Sequence, residues 1–162
     1  MKRVLSNLRA DRRGAAVIEL ALAAPVLAAL LVGMTDISRA YAMKLRLAQA
    51  AQRTIEKIQV NGQNTNDYTT LSAEAAAAAT AAGYTGSTVV VNYKLECNGT
   101  TNTSNTTGAA INAACTGGQT SARYVTVTIS NYYSPMFGTR FFPGANAQGQ
   151  VAVSGYAGLR VA

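Results

Sequence analysis

The chain has 162 residues, of which 13% are charged, and a formal net charge of +7. This length provides one domain with a single core. Histidine is absent and there are only seven acidic residues, so groups for acid–base catalysis are scarce. The sequence also contains no glycine-rich phosphate loop and no nucleophile elbow. The composition therefore argues against an enzyme, and we expect no cofactor, no catalytic residue and no metal site.

The positive charge is concentrated at the N-terminus, where residues 1–14 hold five basic residues and one acidic residue. A basic tail in front of an apolar segment is typical of the cytoplasmic flank of a membrane helix. This distribution favours a membrane over nucleic acid as the partner of the basic tail, and we expect no nucleic-acid binding.

An apolar run covers residues 15–35, and its one charged residue is Glu19. About 20 helical residues are enough to cross the core of a bilayer. Pro25 would remove one helical hydrogen bond and kink the helix, which membrane helices tolerate. A carboxylate inside a membrane span is costly and usually functional, so Glu19 requires an explanation.

Three interpretations of this N-terminus compete. A cleaved secretory signal could end at Ala40-Tyr41-Ala42, but the apolar run is too long and Asp36 and Arg39 intervene. An uncleaved signal anchor accounts for the apolar run and leaves Glu19 unexplained. The third interpretation is a prepilin.

The order Arg13-Gly14-Ala15, then Glu19 inside an apolar run, resembles the cleavage site of type IV prepilins. The resemblance implies that a prepilin peptidase cuts between Gly14 and Ala15, which makes Glu19 the fifth mature residue. The new ammonium group of one subunit would pair with Glu19 of a neighbour and set its register, since an unpaired buried charge costs several kcal/mol. The simpler alternative is a helix N-terminal acid at the headgroup level, where the helix dipole favours an anion.

The longer N-terminal segment is similar to the signature of TadE-like proteins, the minor pseudopilins of the tight-adherence (Tad) pilus. The residues that carry this similarity are Arg13, Gly14, Glu19, Pro25, Gly33, Asp36, Arg39 and Tyr41. Asp36 and Arg39 are three residues apart, so they can face each other on a helix. They form either a simple surface ion pair, which contributes little to stability, or a pair that marks the far membrane interface.

The similarity implies a role in initiating or capping Tad pilus assembly, and so in adhesion and biofilm formation. It also implies a single-pass protein of the bacterial inner membrane, with a cytoplasmic N-terminus and a periplasmic head. The implied partners are prepilin peptidase, the inner-membrane Tad assembly machinery, other pseudopilins and the major pilin.

The helix is expected to run on from about Ala16 to Gln59, with residues 36–60 as an amphipathic continuation. An apolar stripe recurs there at spacings of three and four, and we expect it to pack on the head. The stripe consists of Ile37, Tyr41, Leu45, Ala48, Ala51, Ile55 and Ile58. Asn61-Gly62 is a suitable helix end.

Residues 61–162 are expected to form an extracytoplasmic α+β head. An alanine-rich helix is predicted over residues 72–82. Period-two alternation predicts three strands, over residues 89–96, 124–130 and 150–161, the last of which is weakened by Gly155 and Gly158. The predicted fold class is therefore α+β and pilin-like, with a long N-terminal helix packed on a small antiparallel sheet beside a second short helix.

Cys97 and Cys115 bracket a loop rich in Asn, Thr and Gly. In an oxidising compartment a disulfide is expected, and closing such a loop is worth about 3 kcal/mol in the chain-entropy model. A metal or redox site is disfavoured because the chain has no histidine and no C-x-x-C motif.

An apolar cluster near the C-terminus either joins the core or presents a partner surface. Its members are Tyr132, Tyr133, Met136, Phe137, Phe141 and Phe142. The second case leads to an alternative function, a membrane-anchored adhesion or ligand-binding protein that works through its head. The two functions differ in whether Glu19 is needed.

Overall fold

The computed structural model describes residues 13–61, 70–105, 114–136 and 144–161. Two helices precede four strands along the chain. They are α1 (Arg13–Asn61), α2 (Leu71–Ala81), β1 (Thr88–Cys97), β2 (Thr100–Asn105), β3 (Ser121–Tyr133) and β4 (Val151–Arg160). The chain divides into two compact units, one up to Arg39 and one from Ala40 onward. The boundary falls within α1, and each unit is described separately below.

In the first unit, α1 is apolar on all sides. Its large apolar side chains are exposed by 56–71% and include Val17, Ile18, Leu20, Leu22, Val26, Leu27, Leu30, Leu31 and Met34. A helix that is hydrophobic all round belongs in a protein interior or a membrane. Pro25 lies inside this helix. The helix is long and apolar enough to cross a membrane.

In the second unit, α1 buries one face against the sheet. This face comprises Met43, Leu47, Ala50, Ala51, Ile55 and Ile58, and all of them belong to the hydrophobic core. Thr54 lies on the same face, where its hydroxyl group donates a hydrogen bond to the Ala50 carbonyl oxygen at 3.0 Å. The hydroxyl is thereby satisfied without a partner outside the helix.

The predicted apolar stripe of α1 is correct in its second half and wrong in its first half. Ala51, Ile55 and Ile58 are buried, as expected. Tyr41 and Leu45 are 60% and 46% exposed, because the buried face runs instead through Met43 and Leu47. Both sets of residues have helical spacing, so periodicity alone could not choose between them.

The four strands form one antiparallel sheet in the order β2-β1-β3-β4. The inner face of β3 is fully buried at Val125, Val127 and Ile129, and β1 buries Val91 and Leu95 beside them. The α+β fold and the inward faces of these two strands are therefore confirmed. Helix α2 adds Leu71, Ala75 and Ala79 to the core.

The sheet has one strand more than expected. β2 follows β1 through Asn98 and Gly99, whose φ angles are 51° and 78°. Two successive residues with positive φ form the tight hairpin turn that Asn-Gly favours, because its twist matches that of the flanking strands. Asn98-Gly99 was thus a hairpin signal inside a segment we had assigned to a loop.

At Gly155 in β4, the backbone of α1 lies very close to the sheet. A Cβ atom at this position would lie 2.6 Å from the Leu47 carbonyl oxygen and would overlap the backbone of Leu47 and Ala48. The helix backbone therefore occupies the space that a side chain would need. The glycine that we expected to weaken the strand instead allows the helix to pack.

Gly155→Ala should destabilise the head by about 1–3 kcal/mol or more, because the new methyl group meets backbone atoms that cannot rotate away. Gly158→Ala is the matched control on the same strand. Its Cβ would meet the Tyr156 hydroxyl at 3.0 Å and a Thr126 methyl group at 3.2 Å, and both are side-chain ends. Chemical unfolding of the full chain in detergent would measure the two effects, and equal losses would contradict the assignment.

Candidate functional site

The predicted cleavage point lies at the start of α1. The helix begins at Arg13, three residues earlier than expected, so Gly14 and Ala15 are in its first turn and both are exposed. No heavy atom of the described chain outside the immediate neighbourhood lies within 4 Å of the position that a Gly14 Cβ would take. The Gly14–Ala15 bond is therefore accessible in the part of the chain that the structure describes.

Glu19 lies little more than one helical turn beyond Gly14 and is exposed. Its neighbours Val17, Ile18 and Leu20 are each at least 64% exposed. The ion pairs found within the described ranges join other residues, Lys57 to Glu74 and Lys94 to Glu96. Glu19 is thus an ionisable group on a helix surface that is otherwise suited to lipid or to other apolar helices.

Asp36 and Arg39 have opposite environments. The Asp36 side chain is 1% exposed, whereas Arg39 is exposed. Close to them, the Thr35 hydroxyl donates a hydrogen bond to the Leu31 carbonyl oxygen at 2.9 Å. Beyond the apolar run, the first charged side chain that is exposed is therefore that of Arg39.

The disulfide between Cys97 and Cys115 is present, with their Cα atoms 5.7 Å apart. It connects the end of β1 to the segment that leads into β3. The Asn98 side-chain oxygen accepts hydrogen bonds from the Thr120 backbone amide at 3.0 Å and from the Thr120 hydroxyl at 3.1 Å. Covalent and polar links thus hold the β1–β2 turn beside the start of β3.

Lys94 and Glu96 form a charged pair on the outer face of the sheet. The Lys94 ammonium nitrogen is 2.5 Å from a Glu96 carboxylate oxygen and 5.6 Å from the centre of the Tyr124 ring. The hydrogen bond from Lys94 is the main cause that lowers the pKa of the Glu96 carboxyl group, and the Tyr124 hydroxyl contributes a smaller lowering. The same bond raises the pKa of Lys94. Sequence reasoning missed this pair, although residues two apart on a strand share a face.

The apolar cluster near the C-terminus is divided. Tyr133 is 9% exposed and joins the core, whereas Tyr132 and Met136 are 55% and 63% exposed. The other predicted members, Phe137, Phe141 and Phe142, lie outside the described residues. Among the described members of the cluster, Tyr133 thus follows the core alternative, and Tyr132 and Met136 are exposed at the surface.

The described architecture is that of a protein with one long apolar N-terminal helix and a disulfide-linked α+β head. Residues 14–55 match the model of a family described as TadE-like protein. This match agrees with the resemblance that the motifs of the segment predicted, and it suggests an association of the chain with the Tad pilus. It covers about a quarter of the chain and begins at the glycine of the predicted cleavage site. No curated protein and no solved structure matches the chain.

The Glu96 carboxyl group should titrate below the ordinary glutamate pKa. Because the folded-state pKa is lowered, the pair stabilises the head above the unfolded-state pKa, and this contribution is lost as the pH falls through the folded-state value. NMR titration of the side-chain carboxyl carbons would measure the shift. Lys94→Met should return the Glu96 pKa toward its ordinary value, whereas Lys57→Met, which removes the other ion pair, should leave it unchanged.

Proposed function

We propose that this chain is a minor pseudopilin that takes part in initiating, priming or capping Tad pilus assembly, and thereby supports adhesion and biofilm formation. One observation carries the proposal. The segment that matches the TadE-like family begins with an exposed apolar stretch of helix that carries a carboxylate, Glu19, five positions after Gly14. A plain membrane anchor does not require that carboxylate, whose cost within a membrane span is usually offset by a function.

The first proposed step is cleavage by prepilin peptidase. The basic residues before Gly14 would remain in the cytoplasm, and the cut after Gly14 would give Ala15 a free ammonium group. The helix would stay in the inner membrane with the head in the periplasm. The disulfide between Cys97 and Cys115 supports this orientation, because such bonds persist in oxidising compartments.

The second proposed step is registration of subunits through Glu19. When apolar helices associate side by side, the Ala15 ammonium group of one subunit needs a counter-charge, and Glu19 of a neighbouring subunit supplies it. Removing one partner of a buried ion pair costs about 3–5 kcal/mol, whereas the intact pair is tolerated. A subunit displaced along the axis would leave both charges unpaired, so the pair selects one register.

The partners that follow from this proposal are the inner-membrane Tad assembly machinery, other pseudopilins and the major pilin. Residues 15–35 would serve as the membrane or filament segment, residues 36–60 as its amphipathic continuation and residues 61–162 as the head. Asp36 and Arg39 would mark the end of the membrane span, since they are the first charged residues after Glu19 along α1.

The N-terminus of the protein purified from its native membrane tests the first step. We expect the chain to start at Ala15, with or without an added methyl group, as measured by intact mass and N-terminal sequencing. A chain that retains Met1 would contradict prepilin processing and leave a plain anchor. A start at Met43 would instead identify an ordinary signal peptide.

Glu19→Gln tests the second step, because it removes the charge and keeps the shape of the side chain. We expect normal membrane insertion and loss of surface pili, counted by electron microscopy and shear fractionation. Glu56→Gln is the matched control, an exposed carboxylate further along the same helix, and should leave piliation unchanged. Normal piliation in the Glu19 variant would exclude this role and favour a protein whose head alone carries the function.

A further inference from the structure

The exposed side of α1 just beyond the apolar run carries an excess of positive charge. Residues 37–55 contain four basic residues, Arg39, Lys44, Arg46 and Arg53, and no acidic residue. All four are exposed, and the ion pairs found within the described ranges involve none of them. An uncompensated run of positive charge next to an apolar helix is the chemistry that attracts anionic lipid headgroups.

Lys44 and Arg46 have the arrangement that is typical of residues at a membrane–water interface. Two residues apart on a helix, they project to nearly opposite sides. Tyr41 and Leu45 lie between them on the exposed side and are 60% and 46% exposed. An aromatic ring and an aliphatic side chain flanked by long cationic side chains suit the boundary between hydrocarbon and headgroups.

Position along the helix separates these two cations from the later ones. At 1.5 Å per residue, Lys44 and Arg46 lie about 6 and 9 Å beyond Ala40, where the second unit begins, whereas Arg53 and Lys57 lie about 20 and 26 Å beyond it. Helical side chains also tilt toward the N-terminus, which brings the charges of Lys44 and Arg46 back toward the apolar run. Within the second unit, Lys44 and Arg46 are thus the cations that follow the apolar run most closely along the chain, and screening at physiological salt weakens the action of Arg53 and Lys57 on a bilayer more than theirs.

We propose that Lys44 and Arg46, with Tyr41, form a juxtamembrane patch that binds anionic phospholipid headgroups on the side of the membrane that carries the head. A second copy of this chain is a poor alternative occupant, because it brings the same uncompensated positive segment. The proposal rests on the proposed function only in requiring that α1 spans the membrane. Beyond that function, it states that a bound anionic lipid holds the head close to the bilayer until the subunit is incorporated into a filament.

The test uses the full chain in a neutral detergent and native mass spectrometry, with phosphatidylglycerol and phosphatidylcholine as probes. We expect adducts with phosphatidylglycerol at concentrations where phosphatidylcholine gives few. Lys44→Gln with Arg46→Gln should weaken phosphatidylglycerol binding by roughly 10- to 30-fold, from two basic contacts. Arg53→Gln with Lys57→Gln is the matched control, with the same loss of charge on the same helix, and should change binding little.

Three outcomes would overturn the proposal. They are equal binding of the two lipids by the unmodified chain, equal weakening by the two double variants, and displacement of phosphatidylglycerol by inorganic phosphate, which would indicate a site for soluble anions. All four substituted side chains are exposed, so circular dichroism should report unchanged folding. Glu19→Gln should retain lipid binding, which keeps failure of this proposal distinct from failure of the assembly role.

Discussion

The close approach of α1 to Gly155 is the contact on which the head depends. A side chain at that position would overlap the helix backbone at Leu47 and Ala48, so glycine determines how near the helix can come. At that spacing Met43, Leu47 and Ala51 reach the fully buried strand residues Val125, Val127 and Ile129. In packing this dense, adding or removing a single methyl group changes the stability of the fold. The packing therefore holds α1 with one particular face against the sheet.

The choice of buried face also determines which side chains of α1 remain exposed. Tyr41 and Leu45 are apolar and remain exposed because Met43 and Leu47 occupy the buried side. The first part of α1 is exposed on every side, and only Glu19 interrupts its apolar surface between residues 15 and 35. One continuous helix thus presents an apolar segment, a mixed cationic and aromatic segment and a packed segment in succession. Each segment has the chemistry of a different environment, which is why this helix carries both proposed interactions.

The head is stabilised by links that the membrane segment does not share. The disulfide and the hydrogen bonds to Asn98 join the β1–β2 turn to the start of β3. The ion pair of Lys57 with Glu74, at 3.6 Å, joins α1 to α2, although an exposed pair of this kind contributes little. These links lie within the head, whereas the large apolar side chains of the N-terminal part of α1 remain exposed.

Sequence by itself determined the features that depend on local composition and on residue order. These are the long apolar helix, the position of Glu19 after Gly14, the inward faces of β1 and β3, the disulfide and the TadE-like segment. Asn98-Gly99 also specified its hairpin, although we assigned those residues to a loop. Only the tertiary structure decided which of two apolar stripes on α1 is buried, because both have helical spacing and the choice depends on a glycine more than 100 residues away. It likewise separated Tyr133 in the core from Tyr132 at the surface, since adjacent strand residues point to opposite faces and the packed helices determine which face is the interior.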